Sequence, residues 1–162
     1  CNFKSLVLLR KNIVFKKKQN DLIMGDYKTR PSWEEYFKEL VKLTASRSPC
    51  ERLQVGCIFV KDNRIIAQGY NGYISGCDHK SVIKDNHNVA IIHAEQNTIT
   101  DCAKRGVSSD GCCAYITHRP CYNCMKLMVS SGIKQIKYIN EYKNDDLVTE
   151  LSNKTGVHIL KI

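Results

Sequence analysis

The sequence contains no internal repeat, no low-complexity segment and no long run of hydrophobic residues. Near its start the longest apolar run extends only from Leu6 to Leu9, whereas a membrane-spanning helix needs roughly 20 apolar residues. The same shortage argues against a secretory signal peptide, whose hydrophobic core takes roughly 7–15 residues. We therefore expect a protein that is neither membrane-bound nor secreted and that works in the cytoplasm.

The chain has 162 residues, of which 43% are hydrophobic and 25% charged, enough for one globular domain with its own core. Its net charge of +9 is uneven, because the first 30 residues hold eight basic and two acidic side chains. We interpret residues 1–24 as a basic, flexible extension and residues 25–162 as the domain. A mitochondrial-type targeting peptide is the weaker alternative, since the extension has little arginine or serine. No aromatic platform or groove-reading motif accompanies the charge, which argues against a nucleic-acid partner.

Cysteine is abundant, with nine in the chain, but the number is odd and nothing points to an oxidising compartment. In a reducing compartment cysteine is either a small core residue or a metal ligand. Four of the nine fall in predicted strands or a predicted helix and are interpreted as core residues: Cys57, Cys102, Cys112 and Cys113.

Hydrophobic periodicity and turn residues from residue 31 onward predict alternating helices and strands. The first helix begins at Ser32, with Glu35 three positions on as in a capping box, and extends to about Arg47. Strands are predicted at 55–60, 64–70, 112–117, 133–139 and 157–162, helices at 32–47, 89–105, 121–131 and 145–155, and a polar loop at 71–88.

The first two strands, separated by the turn residues Asp62-Asn63, are predicted to form a hairpin. Helices of ten or more residues separate the later strands, which predicts parallel pairing through crossover connections. The sequence therefore predicts an α/β fold with three layers, α/β/α, around a five-stranded mixed sheet.

Two short motifs carry the candidate chemistry. His93-Ala94-Glu95 lies near the start of one predicted helix, and Pro120-Cys121-Tyr122-Asn123-Cys124 opens another. A Cys-x-x-Cys pair alone fits a redox site, a structural zinc site or chance. Here its upstream partner is a single histidine, and three protein ligands leave the fourth position of a tetrahedral zinc for water, as catalytic sites require. Helix N-termini also favour the thiolate form that binds metal.

Glu95 follows the histidine by two residues, and its expected role is to carry protons beside the metal site. The combination of H-x-E with P-C-x-x-C is the signature of zinc-dependent nucleobase deaminases. The structural alternative is a buried histidine, a surface glutamate and two core cysteines, but it requires both motifs and their strand–helix frame to coincide by chance.

From about Ser32 to Ile162 the chain resembles the cytidine deaminase superfamily and, within it, the deoxycytidylate (dCMP) deaminases. The His and Pro-Cys motifs identify the superfamily, and the Val-Gly and Gly-Tyr-Asn-Gly stretches narrow the resemblance to the dCMP branch. The stretches that carry it are Arg47-Ser48-Pro49-Cys50-Glu51-Arg52-Leu53-Gln54-Val55-Gly56, Gly69-Tyr70-Asn71-Gly72, His93-Ala94-Glu95-Gln96-Asn97, Tyr115-Ile116-Thr117-His118-Arg119-Pro120-Cys121 and Ser131-Gly132-Ile133.

This resemblance implies the cytidine-deaminase-like version of the predicted fold and a hydrolytic deamination of dCMP to dUMP and ammonia, which supplies dUMP for dTTP synthesis. It implies Zn²⁺ held by His93, Cys121 and Cys124, with Glu95 as the catalytic proton carrier. Relatives in this branch form hexamers and respond to dCTP and dTTP, so a homo-oligomer and these effectors are expected partners.

Candidate substrate-binding residues lie in the loops around these motifs. Asn71 matches a position that hydrogen-bonds the base or sugar in relatives, with a turn residue before Gly72 as its structural alternative. Asn97 is placed to support the site or is simply a polar helix residue. Arg47 and Arg52 are the candidates for binding a substrate phosphate, because guanidinium groups suit phosphate.

A second, structural Zn²⁺ is a further expectation, since some relatives hold one with cysteine and histidine from the loops that flank the site. Two cysteines and two histidines would satisfy zinc, although in such relatives the loop after Gly-Tyr-Asn-Gly is longer and richer in cysteine. The residues in the corresponding places are Cys50, Cys77, His79 and His87.

Two alternatives to a dCMP deaminase remain open at this point. One is a zinc deaminase that acts on another cytosine nucleotide or on an RNA base. The other is a non-catalytic, zinc-stabilised module that binds nucleic acid through the basic extension. A deaminase of either kind requires the carboxylate of Glu95, whereas the binding module does not. Glu95 is therefore the position that distinguishes an enzyme from a non-catalytic module.

Overall fold

A computed structural model describes residues 30–85, 87–142 and 145–162. The predicted extension, residues 1–24, lies outside the described residues, and so does the start of the predicted domain at residue 25. Within the described part, Trp33–Ile162 forms one unit by its internal contacts. The division of the chain at residue 24 stays a prediction.

The helices and strands follow the predicted alternation. The described helices are α1 (Trp33–Ala45), α2 (Ala94–Arg105), α3 (Tyr122–Ser130) and α4 (Asp146–Thr155). The described strands are β1 (Gly56–Lys61), β2 (Arg64–Tyr70), β3 (Ile83–Lys84), β4 (His87–Asn88), β5 (Cys113–His118), β6 (Gln135–Asn140) and β7 (His158–Lys161). None of these helices has the length and apolar character to cross a lipid bilayer.

Five of the strands form one mixed sheet in the order β2-β1-β5-β6-β7. Strand β1 pairs antiparallel with both β2 and β5, with Cys57 opposite Gly69 on one side and Ile116 on the other. Strands β5, β6 and β7 are parallel, so α3 and α4 are their crossover helices. The prediction of a three-layer α/β/α fold with a five-stranded mixed sheet is confirmed.

Each face of the sheet has its own hydrophobic core. On one face, α2, α3 and α4 cover buried residues that include Phe59, Ile116 and Ile136. On the other face, α1 packs Phe37 and Val41 over neighbouring positions of β1 and β5. Alternate residues of a strand point to opposite faces, so each strand contributes to both cores. Cys57, Cys102 and Cys112 are buried in the first core, as predicted, and half-buried Cys113 packs against the second.

Two glycines allow helices to approach the sheet very closely. A Cβ at Gly56 would lie 2.5 Å from the carbonyl oxygen of Val41 in α1, and a Cβ at Gly69 would lie 2.7 Å from the backbone nitrogen of Thr98 in α2. Both distances are too short for real atoms, so any larger residue would push a helix away from its strand. The position of α2 therefore depends on Gly69.

The segment between β2 and α2 differs from the prediction. The predicted loop 71–88 contains a short antiparallel ladder in which Ile83 pairs with Asn88. The helix predicted at 89–105 begins only at Ala94, because Ile92 exchanges two backbone hydrogen bonds with Gly72 and is held in an extended bridge. The hydrophobic residues at 89–92 have the spacing expected of a helix but do not form one. The backbone pairing of Ile92 with Gly72 outweighs their local preference for helix.

Candidate functional site

The three predicted zinc ligands lie at the N-terminal ends of α2 and α3. His93 is the residue before α2 and Cys121 the residue before α3, and both have extended backbone angles. The side-chain oxygen of Gln96 accepts a hydrogen bond from the backbone N–H of His93 at 2.9 Å and fixes the start of α2. Cys124 lies in the first turn of α3 and is buried. The two motifs, separated in the chain, are thereby brought together by neighbouring helix starts.

The donor atoms of these residues converge. The Nδ1 atom of His93 lies 3.3 Å from Sγ of Cys124 and 3.7 Å from Sγ of Cys121. All three donor atoms lie within 4.8 Å of one another, and within the described residues this is the one group of three or more His, Cys, Asp or Glu side chains that meets this condition. One imidazole nitrogen and two thiol sulfurs form a donor set typical of zinc, so these residues fit the expected ion.

Protonation in this triad is strongly coupled. The pKa of Cys121 is lowered to about 4, chiefly by a hydrogen bond from the Cys124 thiol and also by His93. The pKa of Cys124 is raised by its hydrogen bond to Cys121, by burial and by the nearby carboxylate of Glu95. The pKa of His93 is raised mainly by its hydrogen bond to Cys121. The cluster thus already stabilises one thiolate, the form of cysteine that binds metal.

Glu95 is buried beside the triad, with 4% of its surface exposed. Burial raises the pKa of its carboxyl group, and hydrogen bonds and the charge of His93 only partly oppose this. A carboxylate whose pKa lies closer to neutrality is better suited to take up and release protons during a reaction. The placement of Glu95 next to the donor set therefore suits a proton carrier. It is inconsistent with the alternative of a surface glutamate, because the side chain is buried.

A cavity of about 1050 Å³ opens over the triad. Its helix wall consists of His93, which precedes α2, and of residues in the first turns of α2 and α3, including Glu95 and Cys124. Its loop wall consists of residues from 49–55 and from the segment between β2 and α2, including Tyr73 and His79. The two aromatic rings of the loop wall stack with their centroids 4.9 Å apart. The cavity is large enough for a small organic molecule such as a nucleotide.

The predicted substrate-binding residues are only partly brought together. Arg52 and Asn71 line the cavity, whereas Arg47 and Asn97 are not among the lining residues. The side-chain amide of Asn97 donates a hydrogen bond to the carbonyl oxygen of Tyr70 at 2.7 Å and so ties α2 to the end of β2. This contact agrees with the supporting role considered for Asn97, and the binding roles of all four stay predictions.

The predicted second metal set is only partly described. Cys50 lines the cavity, Cys77 is exposed, and His79 stacks on Tyr73. These three do not form a metal-binding group by the distance condition that the first triad meets, within the part of the chain that the structure describes. The side chain of His87 lies outside the described residues, so the second zinc site stays a prediction.

Several residues of the site are not among the predicted metal, catalytic and substrate-binding residues. Tyr73 belongs to the loop wall, and His118 lines the cavity with its Nδ1 3.1 Å from the hydroxyl of Thr117. Ser48 is buried and donates a hydrogen bond to the backbone oxygen of Asn71 at 2.8 Å. Ser48 and His118 lie in stretches that carry the resemblance to the deaminases, and Tyr73 directly follows such a stretch, so the resemblance is the sequence signal that could have found them.

Comparison with known proteins agrees with this geometry. Residues 31–140 match the model of the cytidine and deoxycytidylate deaminase zinc-binding region. ComE operon protein 2 of Bacillus subtilis is 42% identical over 137 residues, covering 82% of this chain and 72% of the relative. The deoxycytidylate deaminase of Mycobacterium phage D29 is 34% identical over 128 residues, covering 70% of this chain and 98% of the phage protein.

Longer relatives and a solved structure extend the comparison. The deoxycytidylate deaminase of Schizosaccharomyces pombe is 30% identical over 158 residues, but the chain spans only 49% of its length. The crystal structure of dCMP deaminase from the cyanophage S-TIM5 with dCMP and dUMP has 34% identity and a TM-score of 0.74, and covers 83% of this chain and 99% of that chain. The family match covers most of the described fold and both metal-ligand motifs, and the protein belongs to the zinc-binding cytidine and deoxycytidylate deaminase family.

Proposed function

We propose that the protein is a dCMP deaminase that converts dCMP and water to dUMP and ammonia. The observation that carries this proposal is the buried carboxylate of Glu95 beside a His-Cys-Cys donor set at the base of a nucleotide-sized cavity. Similar proteins named deoxycytidylate deaminase, and a structural neighbour that holds dCMP and dUMP, support the choice of substrate.

His93, Cys121 and Cys124 are the proposed zinc ligands. When bound, zinc supplies Lewis-acid activation of water for attack on a carbon that carries a leaving group. Glu95 would accept a proton from the attacking water, deliver it to N3 of the cytosine ring, and carry a proton to the departing amino group. Burial prepares Glu95 for this exchange, because its raised pKa brings the protonated and ionised forms closer in free energy at neutral pH.

Arg52 is the proposed partner of the substrate phosphate. It lines the cavity, and none of the ion pairs among the described residues involves Arg52. The other arginine of the lining, Arg119, is instead fastened by a 2.7 Å hydrogen bond from its guanidinium to the hydroxyl of Thr149. A guanidinium that is not engaged elsewhere can bind two phosphate oxygens at once. Arg47 is proposed as a second, more peripheral basic residue, and Asn71 as a contact to the base or sugar.

The remaining proposals concern the setting of the enzyme. We propose that it works in the cytoplasm as a homo-oligomer, that its product dUMP serves dTTP synthesis, and that dCTP and dTTP act as effectors. We also propose a second, structural zinc held by Cys50, Cys77, His79 and His87, which the resemblance to the deaminases supports. Size-exclusion chromatography with light scattering and elemental analysis test the oligomer and the number of zinc ions per chain.

The decisive experiment compares ammonia release from dCMP, CMP, dCTP and deoxycytidine by the purified zinc-loaded protein. We expect the highest kcat/KM with dCMP, and a large loss when the phosphate is absent. Turnover of another cytosine nucleotide alone, or of a polynucleotide alone, would favour the other deaminase functions. Nucleic-acid binding that survives Glu95→Gln, without any turnover, would favour the non-catalytic module.

A further inference from the structure

The residue pair Asn71 and Gly72 occupies an unusual place in the site. It follows directly after β2 and stands between the segment 48–55, which carries Arg52, and Ile92, which precedes the metal-ligand candidate His93. Asn71 is buried, with 7% of its surface exposed, although its side chain is polar. Its polar groups must therefore be satisfied by the protein or by a bound molecule.

All four hydrogen-bonding groups of Asn71 are used on the segment 48–55. Its backbone N–H donates to the carbonyl oxygen of Val55 at 3.0 Å, and its side-chain oxygen accepts from the N–H of Val55 at 2.8 Å. Its side-chain N–H donates to the carbonyl oxygen of Leu53 at 2.9 Å, and its backbone oxygen accepts from the hydroxyl of Ser48 at 2.8 Å. Asn71 is thus hydrogen-bonded to residues that precede Arg52 in the chain and to residues that follow it.

Gly72 makes the connection in the other direction. Its N–H donates to the carbonyl oxygen of Ile92 at 3.1 Å, and its carbonyl oxygen accepts from the N–H of Ile92 at 2.8 Å. A Cβ at Gly72 would lie 3.3 Å from the ring of Pro49, so the segment 48–55 also packs tightly against this position. Asn71 therefore binds the segment 48–55, which carries Arg52, and Gly72 binds Ile92, the residue before His93. Two consecutive residues thus connect the Arg52 segment to the metal site.

We propose that Asn71 is a positioning residue that sets the place of Arg52 relative to the reaction centre and thereby tunes recognition of the substrate phosphate. This inference rests on the proposed function, and direct contact of Asn71 with the base or sugar becomes the alternative that the experiment below distinguishes from it. Its hydrogen bonds select one conformation of an otherwise irregular loop. A preorganised arginine binds phosphate more tightly because the loop loses less conformational freedom on binding.

The test is a double-mutant cycle on the zinc-loaded enzyme with Asn71→Ala, Arg52→Gln and the double variant, each assayed with dCMP. If Asn71 acts through Arg52, Asn71→Ala raises the KM for dCMP by about tenfold alone, but by less than about twofold when Arg52 is already glutamine. The kcat changes less than the KM, because the zinc ligands and Glu95 are untouched.

Ser48→Ala is the milder second variant, since it removes one of the four hydrogen bonds and serves if Asn71→Ala does not fold. It is expected to raise the KM by about threefold, again only when Arg52 is present. Ser109→Ala is the matched control, because it removes a 2.7 Å hydrogen bond to the backbone oxygen of Ser131 outside the cavity. Its KM is expected to equal that of the unsubstituted enzyme.

An additive cycle would overturn the inference, because equal effects with and without Arg52 mean that Asn71 acts directly on the substrate. An unchanged KM with a lowered melting temperature would also overturn it, because Asn71 would then serve stability alone. Both results leave the proposed function intact if the unsubstituted enzyme turns over dCMP. Absence of that turnover would overturn the proposed function, and this inference with it.

Discussion

The two walls of the cavity are built in different ways. The helix wall places His93, Glu95 and Cys124 within the first turns of α2 and α3 or directly before them, on helices packed against the sheet. The loop wall places Arg52 and Tyr73 on irregular chain that is fastened by side-chain and backbone hydrogen bonds. Regular structure fixes the atoms that need the tightest geometry, and loops supply the contacts that select a substrate.

This difference leads us to expect two kinds of defect. Changes in the helix wall should remove the chemical step or the metal, with large effects on kcat. Changes in the loop wall should alter substrate binding, with moderate effects on KM. The substitutions below test that contrast in order of decreasing effect.

Glu95→Gln is expected to have the largest effect. The amide keeps the size of the side chain but cannot accept or release a proton, so kcat should fall by at least about a hundredfold. Steady-state ammonia release measures the loss, and elemental analysis should show that zinc is retained. Substantial activity in the glutamine variant would remove Glu95 from the chemistry and weaken the contrast between the walls.

Cys124→Ser should lower both the zinc content and kcat, because a serine hydroxyl is a poor zinc ligand compared with a thiolate. The matched control is Cys57→Ser, since Cys57 is also buried but faces the core next to Thr98. We expect the Cys57 variant to lose stability and to keep its zinc. Equal zinc loss in both variants would point to general unfolding and would contradict the assignment of Cys124 as a ligand.

Arg52→Gln should raise the KM for dCMP by roughly ten- to a hundredfold, as expected when a charge-assisted contact worth about 1.5–3 kcal/mol is lost. The activity on deoxycytidine, which lacks the phosphate, should change little. Parallel kinetics with the two substrates give the comparison, and Arg64→Gln is the control, because Arg64 is an exposed basic residue outside the cavity lining. An equal loss with both substrates would show that Arg52 does not recognise phosphate.

The glycines beneath the two walls provide the smallest expected effects. Gly69→Ala should lower the free energy of unfolding by about 1–3 kcal/mol, because its Cβ meets the backbone of α2 at 2.7 Å. Gly72→Ala should cost less, about 1 kcal/mol or below, because its Cβ meets the Pro49 ring at 3.3 Å. Chemical denaturation of both variants decides the order, and a larger cost at Gly72 would mean that the loop wall is the more rigid one.

The contrast between the helix wall and the loop wall also explains which parts of the site could be predicted from the sequence. The strands, the crossover helices and the two metal-ligand motifs follow from short-range patterns, because each motif lies at one helix start and its residues are close in the chain. His93 and Glu95, or Cys121 and Cys124, therefore form readable motifs. Even their meeting is predictable, since the resemblance to a known family supplies the tertiary arrangement that the spacing alone leaves open.

The loop wall was less predictable for a physical reason. Apolar residues at 89–92 suggested a helix, but pairing of Ile92 with Gly72 holds them extended. Arg47 and Arg52 were equivalent in sequence, yet only Arg52 lines the cavity. The four hydrogen bonds of Asn71 join residues that are 16 or more positions apart, and no local pattern announces them.

Placing metal ligands at the caps of two helices has a consequence for the dynamics of the chain. His93 and Cys121 are 28 residues apart, and each precedes a segment whose first amides have no partner within their own helix. An ion bound between them would join the starts of two helices into one cooperative unit. In hydrogen–deuterium exchange, the first turns of both helices should then gain protection together on zinc loading, while the amides of α4 respond much less.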